Sequence, residues 1–134
     1  MARATIVDST KVGQDIKYEP PLVIAWGADS KTVGSKTITM GRTRVPPGAR
    51  NQRHTHQIEA VFYVAKGAIR VFLGEEREEH IVPQGCFVYA PVGFIHGLEN
   101  MSQTEEAEVI FAYGNCPNRE AAGTVYVEEP WVKA

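Results

Sequence analysis

Three of the four histidines in this 134-residue chain lie at positions from which they could bind one metal ion. His54 and His56 are separated by one residue, so on an extended strand both side chains project from the same face. His96 would enter from another strand and complete a set of three imidazoles. Such a set leaves coordination positions open for water or substrate, as a catalytic metal site requires. The spacing predicts one divalent metal ion on His54, His56 and His96, although a His-x-His pair alone also fits surface residues of a strand.

The fourth histidine lies in a different setting. His80 belongs to the charged stretch 77–82, which follows a hairpin turn at 73–76. A strand of this composition is typical of a solvated sheet edge. We therefore expect His80 to be exposed and to bind no metal.

The spacing of glycine and proline around these histidines resembles the two conserved motifs of the cupin superfamily. The residues that match the first motif are Gly48, His54 after five intervening residues, Thr55, His56 and Gly67. Those that match the second are Gly85, Pro91 after five intervening residues, Val92, Gly93, His96 after two more and Asn100 after three more. On this match, which spans about residues 45–100, the chain is identified as a small single-domain cupin.

The resemblance implies an all-β fold of the double-stranded β-helix or jelly-roll type, with minimal helix and one domain over residues 1–134. The residues favour the same class. Segments rich in β-branched and aromatic residues are predicted to be strands at 4–7, 22–26, 37–40, 61–64, 68–73, 87–89 and 108–113. A single turn of helix fits at 118–122, and segment 124–131 is expected to cover the barrel or a neighbouring subunit.

One position departs from the cupin pattern. In cupins with a carboxylate or amide as fourth ligand, that residue usually lies four positions after the second histidine, where this chain has Ala60. Glu59 would face away on a regular strand and could reach the metal only through a loop or bulge after Gln57. Gln52 has the required parity, but it precedes the first histidine. We expect a three-histidine site, with Glu59 as the open alternative.

Three neutral imidazoles leave the double charge of the metal uncompensated, which favours an anionic, chelating small-molecule substrate. In this respect the chain resembles three-histidine cupin dioxygenases, and iron is the favoured metal. With manganese, nickel or zinc, the same site could serve a lyase, isomerase or decarboxylase. A small-molecule-binding cupin without turnover and a structural protein remain alternatives.

Other side chains could assist such a reaction. Arg42 and Arg44 could bind a substrate carboxylate if their face of the strand is inward, although exposure at the strand end is the favoured interpretation. Tyr63, Tyr89 and Tyr113 could each place a phenol near the metal. Aromatic residues on strands are more often part of the core.

Composition limits the remaining possibilities. The chain has 43% hydrophobic and 22% charged residues, a net charge of -2 and no cluster of lysine or arginine, so nucleic acid is not expected as a partner. No apolar run reaches the roughly twenty residues of a membrane span. No export signal is visible, which predicts a cytoplasmic protein, and Cys86 and Cys116 are expected to be free thiols. Short exposed strands at both ends predict a homodimer or larger assembly.

Overall fold

The structure, a computed structural model, describes residues 3–131 of the chain. Strands account for nearly all of its regular secondary structure. In chain order the strands are β1 Gln14–Asp15, β2 Val23–Ala28, β3 Ile38–Val45, β4 His54–Thr55, β5 Ala60–Lys66, β6 Ala68–Leu73, β7 Glu78–Pro83, β8 Phe87–Ala90, β9 His96–Asn100, β10 Ala107–Gly114 and β11 Val125–Tyr126. A 3₁₀ helix at Arg119–Ala122 precedes β11. Across this range no helix is long and apolar enough to cross a membrane.

The strands form two sheets in which every pairing is antiparallel. One sheet has the order β1-β2-β3-β10-β5-β8, and the other has the order β11-β4-β9-β6-β7. From β3 to β11, successive strands alternate between the sheets except for the hairpin of β6 and β7, so β4 and β9 belong to one sheet while β5 and β8 belong to the other. This arrangement confirms the predicted all-β, double-stranded β-helix fold.

The core lies between the sheets, and strand alternation decides which residues reach it. On β10 the buried residues Ala107, Val109, Phe111 and Tyr113 alternate with partly exposed ones. The ring of Phe111 crosses directly over Gly41 of β3. A Cβ atom on Gly41 would lie 2.5 Å from Phe111 Cζ, so no larger residue fits there without moving the ring.

Most predicted strands are confirmed, with shifts of a few residues at their ends. Segment 4–7 is the exception, since it has no regular structure and Ile6 is 99% exposed. Its β-branched residues pair with no strand of the described range, and propensity alone does not make a strand. The predicted helical turn is present, with the side chain of Asn118 capping its first turn.

Candidate metal centre

Pairing between β4 and β9 brings the two histidine motifs together. His54 and His96 are direct partners across this pair of strands, and their ring centroids lie 4.4 Å apart. His56, which follows β4, has its ring 4.8 Å from that of His54 and 5.2 Å from that of His96. One nitrogen from each ring lies within 4.8 Å of the other two, and all three residues are buried. The structure thus places together the three residues that the sequence singled out.

Two of the imidazoles are oriented by main-chain carbonyl groups. His54 Nδ1 lies 2.7 Å from the carbonyl oxygen of Gln52, and His96 Nδ1 lies 2.9 Å from that of Phe94. A carbonyl oxygen can only accept, so Nδ1 donates in both rings and Nε2 keeps its lone pair. Metal-binding histidines are commonly fixed in this tautomer by such an outer hydrogen bond.

The third imidazole is held by the C-terminal segment. His56 Nδ1 shares a hydrogen bond of 2.9 Å with Thr124 Oγ1, and that hydroxyl contacts the Tyr18 hydroxyl at 2.5 Å. Further along, Arg53 Nε donates to Glu128 Oε2 at 3.1 Å, and β11 pairs with β4. Of the two predicted locations for segment 124–131, the structure supports the one against the barrel.

Burial keeps the three imidazoles neutral at pH 7. Loss of solvation, with a smaller effect from the neighbouring rings, lowers the pKa of His56 to about 2. The same causes lower the pKa of His96 to about 4, and burial also lowers the pKa of His54. Neutral imidazole is the form that binds metal, so the site is ready for a cation without first losing protons.

The histidines line a cavity of about 40 Å³ between the two sheets. Such a volume holds roughly three water molecules. Its other walls are mainly apolar and come from both sheets: Leu22, Ala60, Val61, Phe62, Leu98, Val109, Phe111 and Tyr113. Polar groups reach it from Glu19, Thr43 and Asn51. A small ligand would therefore meet mainly apolar walls and a few polar groups.

The positions considered for a fourth ligand fall on both sides of the sheet. Ala60 is buried and lines the cavity, as its parity predicts. The chain forms a loop at 56–59 between β4 and β5, but this loop leaves Glu59 exposed and does not turn it inward. Gln52 is buried, but its amide donates to the main-chain oxygen of Glu128 at 2.7 Å. Neither predicted alternative lines the cavity.

Of the three tyrosines considered, only Tyr113 lies at the cavity. Its ring centroid is 4.9 Å from that of His56, and burial raises the pKa of its phenol well above the ordinary value. Tyr63 packs on Phe87 on the other face of the sheet, and Tyr89 is exposed. The neutral phenol of Tyr113 donates a long hydrogen bond of 3.5 Å to the Tyr18 hydroxyl, which a closer acceptor in the cavity could replace.

The two arginines of β3 do not reach the cavity. Arg42 donates to both carboxylate oxygens of Glu108, at 2.8 and 3.2 Å, on the outer face of the sheet. Arg44 also lies on that face, 3.8 Å from a carboxylate oxygen of Glu106. Thr43 faces inward between them. The favoured interpretation of these arginines as solvent-facing residues agrees with the structure.

One cavity residue was missed by the sequence reasoning. Glu19 is 8% exposed, and its Oε1 lies 3.6 Å from His54 Nε2. Its Oε2 accepts a hydrogen bond of 2.8 Å from Asn51 Nδ2. Burial raises the pKa of this carboxyl above its ordinary value. No motif includes Glu19, and the only local signal is an acidic residue directly before two prolines and a buried run.

The donor set fits a divalent metal ion. Two of the rings have Nδ1 committed to carbonyl oxygens, which leaves their Nε2 lone pairs free, and a third ring lies within ligand distance of both. A carboxylate lies at the same cavity. Nitrogen donors with an oxygen donor suit iron, manganese, nickel and zinc alike.

Comparison with known proteins agrees with the fold and the site. Residues 41–113 match the cupin domain family, and the chain belongs to that family. The matched range includes both histidine motifs. The predicted relationship is therefore confirmed, and together with the histidine cluster it indicates a metal-binding cupin. No curated protein matches the sequence.

Solved structures share this fold at low sequence identity. The polyketide cyclase RemF from Streptomyces resistomycificus superposes with a TM-score of 0.77 and 17% identity, over 95% of this chain and 87% of RemF. KdgF from Halomonas sp. superposes with a TM-score of 0.69 and 20% identity, over 88% of this chain and 97% of KdgF. An oxalate oxidase in complex with the substrate analogue glycolate superposes with a TM-score of 0.68 and 23% identity, over 88% of this chain and 60% of the oxidase. At these identities the likeness establishes the fold alone.

Proposed function

We propose that this protein is a metal-dependent enzyme that acts on a small, anionic, metal-chelating organic substrate, with a dioxygenase-type oxidation as its reaction. The observation that carries the proposal is the mainly apolar cavity between the sheets on which His54, His56 and His96 converge in their neutral forms. Ferrous iron is the favoured occupant, and it would supply dioxygen activation together with a Lewis-acidic position for a chelating substrate.

The size of the cavity supports a small substrate. Space for roughly three water molecules matches an acid of a few heavy atoms. The oxalate oxidase that shares this fold was solved with glycolate, a two-carbon hydroxy acid. A compact acid with two adjacent oxygen donors is therefore the substrate class that we propose.

The chain's own residues would position such a substrate. The Tyr113 phenol lies beside His56 and would donate a hydrogen bond to a substrate oxygen. Phe62, Leu98 and Val109 would exclude water from the reacting atoms. His56 would keep its orientation through Thr124.

A second candidate is a non-redox lyase, isomerase or decarboxylase that uses the same histidines. Glu19 favours it, because a carboxylate that lines the cavity could accept a proton from a substrate carbon or hydroxyl. RemF, which shares the fold, is named as a polyketide cyclase.

We also propose that the protein works in a reducing compartment such as the cytoplasm. Both Cys86 and Cys116 are free. Cys116 is fully buried, and its thiol donates to the Asn118 carbonyl oxygen at 3.0 Å. Free structural thiols are the usual state in a reducing environment.

Elemental analysis of protein purified without oxygen, followed by turnover assays, tests the proposed function. Apoprotein would be loaded separately with Fe²⁺, Mn²⁺, Ni²⁺ and Zn²⁺ and mixed with glycolate, oxalate and other small hydroxy and keto acids. Dioxygen uptake that requires both Fe²⁺ and an acid is the expected result. Product formation without dioxygen, in the Mn²⁺ or Zn²⁺ protein, would instead support the second candidate. Failure of the wild-type protein to bind any of these metals would overturn both.

A further inference from the structure

We propose that Glu19 is the fourth protein ligand of the metal centre and replaces the carboxylate that the chain lacks at position 60. This inference rests on the proposed function only in requiring that His54, His56 and His96 bind a metal. It adds a residue that lies outside both histidine motifs.

A tight turn carries Glu19 into the barrel. The amide of Leu22 donates to the Glu19 carbonyl oxygen at 2.8 Å, and Leu22 is fully buried at the start of the core. Burial of the leucine side chain removes apolar surface from water and so anchors the turn. The Glu19 side chain therefore enters the cavity from the segment that precedes β2.

A second residue holds the carboxylate in place. Asn51 accepts a hydrogen bond of 2.9 Å from the main-chain amide of Leu98 and donates one of 2.8 Å to Glu19 Oε2. Because Leu98 follows His96 on β9, this bridge links Glu19 to the strand that carries one of the histidines. Asn51 is thus a positioning residue for Glu19.

The carboxylate lacks a compensating charge among the described residues. Within residues 3–131, the only basic side chain with a nitrogen within 4.0 Å of Glu19 is that of His54, and no lysine or arginine side chain of this range lies so close. A buried carboxylate is costly unless a cation or several donors compensate it. A divalent ion bound by the three imidazoles would supply the missing positive charge.

The separation of the donor atoms is also suitable. Glu19 Oε1 and His54 Nε2 are 3.6 Å apart. Two neighbouring ligands of one metal ion with bonds of about 2.1 Å are separated by roughly 3.0 Å in octahedral and 3.4 Å in tetrahedral geometry. The ligand nitrogens of the three imidazoles lie within 4.8 Å of one another and Glu19 is outside that group, so its carboxylate would turn from His54 toward His56 and His96 to complete the set. Ala60, whose side chain is a methyl group, contributes no competing donor to the cavity.

Metal titration of matched variants tests this assignment. Glu19→Gln keeps the size of the side chain and an oxygen that can accept from Asn51, but it removes the charge. Zn²⁺ affinity, measured by competition with a chromogenic chelator, is expected to fall at least roughly tenfold. The visible spectrum of the Co²⁺ protein is expected to change, because the ligand field loses a carboxylate. Glu59→Gln, which removes an exposed carboxylate next to Ala60, should alter neither measurement.

A rescue variant separates ligation from a folding defect. In Glu19→Gln/Ala60→Glu, a carboxylate returns to the cavity from position 60, and most of the lost Zn²⁺ affinity should return with it. Unchanged affinity in Glu19→Gln would overturn the proposal, as would reduced affinity with an unchanged Co²⁺ spectrum. Either result leaves the three-histidine site intact, whereas a wild-type protein that binds no metal would refute the proposed function itself.

Discussion

His54, His56 and His96 should each be indispensable for tight metal binding. Substituting any one of them by alanine leaves two imidazoles, and we expect metal affinity to fall by more than about tenfold. Metal content after dialysis, measured by elemental analysis, checks this. His80→Ala is the matched control, because His80 is exposed and hydrogen-bonded to Glu78 at 2.7 Å. Full occupancy in one of the three variants would remove that residue from the site.

Ala60 offers a test from the opposite direction. Its side chain lines the cavity, so Ala60→Glu should place a carboxylate within reach of the metal. We expect metal affinity to rise and turnover to fall, because the added charge weakens binding of an anionic substrate and occupies an open position. Equilibrium metal titration and steady-state turnover measure the two effects.

Glu59→Ala is the control variant for Ala60→Glu. Glu59 faces solvent on the neighbouring position, so this variant should retain the wild-type metal content. If Glu59→Ala lost its metal while Ala60→Glu behaved like the wild type, the path of the chain before β5 would differ from the one described.

At the scale of elements, β11 should stabilise the metal site from outside. Thr124 precedes this two-residue strand and shares a hydrogen bond with His56 Nδ1. Thr124→Val keeps the shape and removes the hydroxyl, and we expect metal affinity to fall by about tenfold. Thr104→Val, at an exposed threonine, is the control. Equal affinities for the two variants would show that Thr124 does not orient His56.

Some elements of the site could be predicted from the sequence, and others could not. Both histidine motifs were found because their residues are close in the chain and the turns between them use glycine and proline at set intervals. Seven segments were predicted as strands, and segment 4–7 was wrong because a strand also needs a neighbour to pair with. The short strands β4 and β11 have too few residues for an alternating pattern to appear.

Glu19 illustrates what local patterns cannot predict. Its position depends on contacts with Asn51 and His54, which are distant in sequence and meet it only after both sheets have formed. The predicted alternation correctly placed Ala60 inward and Glu59 outward, since Ala60 begins β5 and Glu59 directly precedes it. Periodicity therefore predicted the face of a residue within a strand, whereas contacts between separate segments required the structure.

At the scale of the whole molecule, the metal-free protein should lose stability as the pH falls below 6.5. Burial lowers the pKa of His96 to about 4 and that of His56 to about 2, from 6.5 in the unfolded chain. Between these values the unfolded chain binds protons that the folded chain does not, so the free energy of unfolding decreases with falling pH. This contribution is fully present above pH 6.5 and is lost as the pH falls through the folded-state values.

Thermal unfolding of metal-free Glu19→Gln measures the effect most directly. Burial raises the pKa of the Glu19 carboxyl, so Glu19 makes the free energy of unfolding increase as the pH falls, against the effect of the histidines. Glutamine does not titrate, so the substitution removes this opposing contribution. We expect the midpoint to fall by more than about 5 °C between neutral pH and pH 5. Adding His56→Gln should reduce the fall, whereas adding His80→Ala should not. A midpoint independent of pH would contradict the buried, neutral state of the imidazoles.

We also predict that the protein forms a homodimer. Strand β8 is at one edge of its sheet, and Phe87 on this strand is 73% exposed beside exposed Tyr89. An apolar edge strand favours association with a second copy. Light scattering at micromolar concentration should give twice the monomer mass, and Phe87→Glu should shift the equilibrium toward the monomer. A wild-type protein that is strictly monomeric would refute this prediction.

The position of β10 has a consequence for how the chain folds. This strand comes late in the sequence, yet it pairs with both β3 and β5 at the centre of its sheet. Until β10 has been synthesised, β3 and β5 lack the strand that lies between them in the sheet, and their apolar residues stay exposed. Pairings that join distant parts of a chain form slowly, because the intervening loop must close first. During synthesis, most of the chain would thus leave the ribosome before this sheet could be completed, and chaperone binding in that interval would protect it from aggregation.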